Sequence, residues 1–178
     1  FQLNVRAVTF MSSIERNMRV LAFGGFVSGL TLRMAEPMLP RVAEDFGVPV
    51  ADAAVVLTGF ALAYGLFQLA HGRISDRIGV LRTVAVAMAL ACVVTAACAF
   101  VSSLNELAVM RFATGMFAGA IIPLSFAYVG DHVPIEDRQP VLGRFIVGIL
   151  LGQMLGPLIG GLFSDFVGWR ASFLVPAV

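Results

Sequence analysis

Apolar residues gather into runs at roughly 18–40, 52–72, 83–101, 107–129 and 141–163, with polar residues concentrated between them. Each run is close to the about 20 residues a helix needs to cross a bilayer. The pattern predicts five complete transmembrane helices, and the short connections make sequence neighbours antiparallel. A last run, Trp169 to Val178, is about half the length needed to cross and reads as the start of a sixth helix.

The fifth run has a pattern of its own. Gly148, Gly152, Gly156 and Gly160 recur every fourth residue and form a smooth stripe on one helix face. Each interior glycine costs a helix in water about 1 kcal/mol against alanine, and an interior proline about 3. In lipid an unpaired backbone group costs several kcal/mol, so the helix persists. Pro157 lacks the N–H that would bond the carbonyl of Gln153, which predicts a kink there. The run is expected to be packed against closely and bent.

Composition agrees with a membrane setting: 59% of residues are hydrophobic and 13% charged, against roughly 25% charged in soluble domains. A net charge of +1 with scattered basic residues gives no support for nucleic-acid binding. Cys92 and Cys98 both fall in the third run, which argues against a disulfide framework or a zinc site, so no metal is expected. No nucleophile–base pair, metal cluster or phosphate loop is visible, and an enzyme is not expected.

Arginine placement sets the orientation. With the N-terminus inside, Arg6, Arg16, Arg19, Arg73, Arg77, Arg82, Arg138 and Arg144 fall in inner segments, and only Arg41 and Arg170 in outer ones. The N-terminus is expected in the cytoplasm, with the chain in the inner cell membrane.

The loop between the second and third runs reads Gly72-Arg73-Ile74-Ser75-Asp76-Arg77-Ile78-Gly79-Val80-Leu81-Arg82. Glycines suit a place where two helices nearly touch or a turn demands positive φ. Asp76 can accept from helix N-terminal amides, and Arg77 and Arg82 can bridge to acids. The order closely resembles the loop signature of the major facilitator superfamily, G-x-L-x-D-R-x-G-R-x-x, with Ile74 for leucine and Val80 for an arginine. Further matches follow at family spacing. Arg111 to Gly115 resembles R-x-x-x-G, with Thr114 where glutamine is common, and Pro134 to Arg138 resembles the inner-loop P-x-x-x-R. Gly143, Gly152, Gly156-Pro157 and Gly160-Gly161 fit the antiporter signature G-x8-G-x3-G-P-x2-G-G without a gap, and Gly168-Trp169-Arg170 resembles the outer turn before the sixth span.

This resemblance implies an all-α membrane fold, the N-terminal half of a 12- or 14-helix transporter built from inverted three-helix repeats. The implied organisation is a cytoplasmic segment over residues 1–17 and a transmembrane half-domain over 18–178, truncated in its sixth helix. In the family an acid at the end of span four ties to the loop arginines. By that resemblance Gly72, Asp76, Arg77, Gly79, Arg82, Asp131 and Arg138 form an inner gate.

Arg33 and Glu36 share a face of the first span at i, i+3. Two readings are open for them: a structural pair snorkelling outward, or a coupling site in which Glu36 binds and releases a proton. Similar drug–proton antiporters carry an acid four residues before a proline, as Glu36 stands before Pro40. Arg111 is the most deeply placed unpaired charge and needs an acid or carbonyls. Glu36 is the candidate on depth, and a purely structural tie between spans is the other reading. Gln153 and Tyr64 either face a substrate cavity or bond between helices. His71 and His132 could titrate near neutrality but are expected to be solvated.

The resemblance tilts the expected function toward proton-coupled efflux of drugs or small organic molecules, driven by a proton gradient and using no cofactor. A uniporter or symporter for sugars or other metabolites is the alternative, and a non-transporting helical scaffold the rival outside transport. The expected partners are the lipid bilayer, a small-molecule substrate and a C-terminal half, without which the chain is not expected to transport.

Overall fold

The computed structural model describes residues 2–177, with the side chains of residues 16–176. The chain is helical throughout, with no strand among the described residues. A long first helix, α1 (Gln2–Arg33), is followed by a turn and two short helices, α2 (Leu39–Phe46) and α3 (Val50–Ala53). Then come α4 (Val55–Ile78), α5 (Val80–Ala97), α6 (Leu104–Ala118), α7 (Ile121–His132), α8 (Ile135–Phe166) and the short α9 (Trp169–Ser172). Among the described residues four stretches are long and apolar enough to cross a membrane: Val50–Ile78, Val80–Phe100, Leu104–His132 and Ile135–Phe166. With the 32-residue α1, these correspond to the five runs of the sequence. This is a multi-pass α-helical membrane protein.

The boundaries differ from the apolar runs in instructive ways. Helix α1 begins at Gln2, ahead of the first apolar run. Its far end comes early, at Arg33 rather than residue 40. Pro37 lacks the N–H that would bond the Arg33 carbonyl one turn back, and the chain closes with bonds three residues apart instead, Glu36 N–H to the Arg33 carbonyl and Met38 N–H to that of Ala35, each at 3.3 Å. Elsewhere the helices outrun the apolar runs. Ser103 and Glu106 start α6: the Ser103 hydroxyl accepts from Glu106 N–H at 3.2 Å, while the Glu106 carboxylate accepts from Ser102 N–H at 2.7 Å.

The expected Gly72–Arg82 loop shrinks to one residue. Helix α4 continues to Ile78, α5 starts at Val80, and Gly79 between them has φ 92°, a value that a side chain would strain. Gly72, by contrast, lies inside α4 with open space around it, so it marks neither a turn nor a close approach. The fourth span is split at Gly119–Ala120, where Ala120 N–H bonds back three residues to Phe117 at 3.2 Å. Pro123, just beyond, cannot supply the N–H that would bond Gly119. Pro140 and Pro157 both lie within α8, which stays continuous through the expected kink.

Two main clusters fill the bundle. One joins Leu30, Met34, Met38, Leu107, Trp169 and Phe173, and the other Leu21, Val84, Ile121, Leu124, Phe145 and Ile149. Large apolar side chains such as Leu69, Met154 and Phe166 are exposed at 83%, 72% and 83%, which suits surfaces that meet lipid or other helices.

Candidate functional site

The glycine stripe of α8 is a seam against α1. A Cβ added at Gly148 would stand 3.2 Å from the Ala22 carbonyl oxygen, and one at Gly156 would stand 2.6 Å from that of Leu30. At Gly152 and Gly160 it would land on the carbonyl oxygens of Phe26 and Met34, and Gly29 answers from α1 against Ile149. Both helices thus present every fourth residue to each other, backbone against backbone. A second seam joins α4 and α6, where Gly115 lies against the Phe60 carbonyl and Gly119 against that of Tyr64. Of the remaining motif glycines, Gly143 faces open space, and Gly161 has only ordinary contact with Pro37, at 3.7 Å.

Arg111 lies between these seams at 0% exposure. Its Nη2 donates to the Thr31 carbonyl at 3.2 Å, and its guanidinium carbon sits 4.2 Å from the centre of the Phe60 ring and 5.8 Å from that of Phe173. Nε and Nη1 have no hydrogen-bond partner. The expected partner on depth, Glu36, is elsewhere: its carboxylate takes Arg33 in a two-pronged pair, Nε at 3.0 Å and Nη2 at 2.9 Å. Depth along a helix does not fix direction around it, and the turn after Arg33 carries Glu36 to a half-exposed position, at 43%. Tyr64 stacks on Phe60 with centroids 5.8 Å apart, so Tyr64, Phe60 and Arg111 form a row. Gln153 is half-buried on α8, its backbone beside Gly29.

At the end of the bundle where α4 meets α5, Asp76 and Arg77 end α4, Arg82 begins α5, and all three are exposed, as is Asp131 at the end of α7. No ion pair among the described residues links Asp131 to Arg77 or Arg82. Arg138 has a defined task. Its Nε donates to the Val133 carbonyl at 2.9 Å and its Nη2 to that of Gly130 at 2.5 Å, closing the C-terminal end of α7 against the start of α8. His71 and His132 each place Nδ1 on the carbonyl one turn back, Phe67 at 2.7 Å and Tyr128 at 3.1 Å.

A tie at the opposite end of the bundle left no trace in the residue pattern. The Asp45 carboxylate accepts from Arg170 and from Trp169 Nε1, the latter at 3.2 Å, and Arg170 also donates to the Val101 carbonyl at 3.3 Å. The Arg170 guanidinium holds the Asp45 carboxyl below the usual carboxylate range. Arg41 adds a contact to Asp165 at 3.5 Å. These pairs gather the C-terminal ends of α2, α5 and α8 around α9. A cavity of about 670 Å³ opens at the other end, between α1, α7 and α8, with Leu21, Val129 and Phe145 among its apolar lining and Arg19, Asp137 and Arg144 among its charges.

Two glycine seams with a buried arginine between them describe a tightly packed, multi-pass helical membrane bundle, and the comparisons give its family. Residues 21–178 match the Major Facilitator Superfamily, and the chain belongs to that family, which is one of transporters and not of enzymes. It is 29% identical over 164 residues to the multi-drug resistance efflux pump PmrA of Streptococcus pneumoniae, covering 89% of this chain and 41% of the pump. It is 28% identical over 174 residues to the multidrug resistance protein MdtG of Proteus mirabilis, covering 93% of this chain and 42% of MdtG. The chain thus spans about two fifths of these relatives' length. The fold matches a crystal structure of a bacterial homolog to the human lysosomal transporter Spinster, in an inward-facing and unoccupied conformation. The TM-score is 0.73 and the identity 17%, with 95% of this chain and 40% of that one covered.

Proposed function

We propose that the chain forms the N-terminal half of a proton-coupled efflux transporter for small organic molecules, working by alternating access. The observation that carries the reading is the family match together with relatives named as multidrug pumps. Two helix pairs locked backbone to backbone supply a half that can move as one body, which rocking against a second half requires. Glu36, paired to Arg33 on the unwound segment after α1, is the proton carrier. Holding Arg33 and holding a proton are alternative states of the same carboxylate, so uptake of a proton releases Arg33. Arg111 supplies a fixed positive charge inside the bundle, and the proton gradient supplies the drive.

The test uses the full-length protein carrying this half, reconstituted in liposomes. Glu36→Gln is expected to abolish efflux driven by an imposed proton gradient while leaving substrate binding measurable. Unaltered gradient-driven efflux by that variant removes Glu36 from the mechanism.

The proposal also fixes orientation in the inner cell membrane, N-terminus inside. Ser75 is buried, so the exposed Arg73 is the better reporter on its turn. Cysteines at Arg73 and Glu136 are expected to react only with reagent on the cytoplasmic side, and one at Glu44, 72% exposed at the other end, only from outside. Labelling of position 73 from outside would invert the topology.

A further inference from the structure

The cavity at the inner end has a charge character that family membership does not supply. Its floor is apolar, with Leu21 and Phe145 buried there, and its rim carries Arg19 from α1 and Arg144 from α8. Asp137 is the sole carboxylate among the described lining residues. Arg144 is exposed and uses its Nε on the Pro140 carbonyl at 3.3 Å, and it takes part in none of the ion pairs among the described residues. A guanidinium at the mouth of an apolar hollow is matched to a carboxylate, sulfonate or phosphate, each of which it can hold through two parallel hydrogen bonds. The volume, about 670 Å³, falls in the roughly 300–1,000 Å³ of small-ligand pockets.

We propose that this cavity binds small amphiphilic anions, with the anionic head at Arg144 and the apolar body along the floor of Leu21, Val129 and Phe145. The inference deepens the efflux reading by naming the charge of the ligand, and it is tested by binding alone. The full-length protein carrying this half is placed in nanodiscs of zwitterionic lipid. It is titrated with dansyl-labelled undecanoic acid and with a trimethylammonium analogue of the same chain, with empty nanodiscs as background.

The acid is expected to bind more tightly. Arg144→Gln is expected to weaken the acid about tenfold, as loss of a charge-assisted hydrogen bond does, and to leave the ammonium probe unchanged, which also shows that the variant is folded. Arg144→Lys, which keeps the charge, is expected to retain most of the affinity. Equal binding of the two probes, or an unchanged preference in Arg144→Gln, overturns the proposal. Displacement of the acid when anionic phospholipid is added to the nanodisc overturns it as well, because a bilayer lipid is then the occupant. None of these results touches the efflux reading, which rests on gradient-driven flux.

Discussion

Leucine in place of Gly152 is expected to prevent the half-domain from assembling, while alanine in place of Gly143, nine residues earlier on the same helix, is expected to be tolerated. A Cβ at 152 lands on the Phe26 carbonyl oxygen and stands 2.9 Å from the Leu30 nitrogen, and both obstacles are backbone. Ordinary overpacking of a core costs about 1–3 kcal/mol because side chains move aside. Here α1 itself has to move, and with it the contacts at Gly148, Gly156 and Gly160. At Gly143 nothing lies within 4 Å, so alanine changes stability by about 1 kcal/mol or less and in the favourable direction. Thermal unfolding of the purified proteins, followed by size-exclusion chromatography after heating, measures both. A Gly152→Leu protein that melts with the wild type would mean that α1 and α8 do not meet along this seam.

The second large effect is expected at Arg111, and the informative change is to methionine. An isolated buried charge is costly, and replacing buried ionic groups by hydrophobes of similar volume is often neutral or stabilising by about 1–4 kcal/mol. Arg111 has two guanidinium nitrogens without partners, and its surroundings are Phe60, Phe173 and one carbonyl. Arg111→Met is therefore expected to match or exceed the wild type in thermal stability while gradient-driven efflux by the full-length protein falls to background. Arg111→Ala is expected to lose stability too, by the about 2–5 kcal/mol of a large-to-small core change. Retained efflux in Arg111→Met would make the residue a structural filler between spans.

How far the sequence could be read depended on which force set each feature. Lipid exposure is written locally, so the apolar runs placed the helices, and the repeat of four in α8 showed a face that a backbone approaches. Helix ends were less legible. Hydropathy reports the bilayer, whereas hydrogen bonding carries α4 through Asp76 and Arg77 to Gly79, and Pro37 ends α1 inside an apolar run. The candidate site was legible as a set of residues but not as a set of pairs. Arg111 was singled out as a buried charge, yet the rings of Phe60 and Phe173 that face it lie 51 and 62 positions away and leave no periodic trace. Asp45 and Arg170, 125 positions apart, were not connected at all.

The α1–α8 seam also bears on the order in which the protein is made. Gly29 meets Ile149, about 120 residues later. At roughly 5–20 residues per second, the ribosome takes about 6–24 s to produce that partner after the first span. For that interval the α1 backbone at Gly29, shaped to touch another backbone, has no α8 to touch. The first span must wait in the insertion machinery or in lipid until the fifth emerges. A chaperone or insertase that shields glycine-rich helices would act on this protein during that interval, and slowing translation would lengthen its exposure.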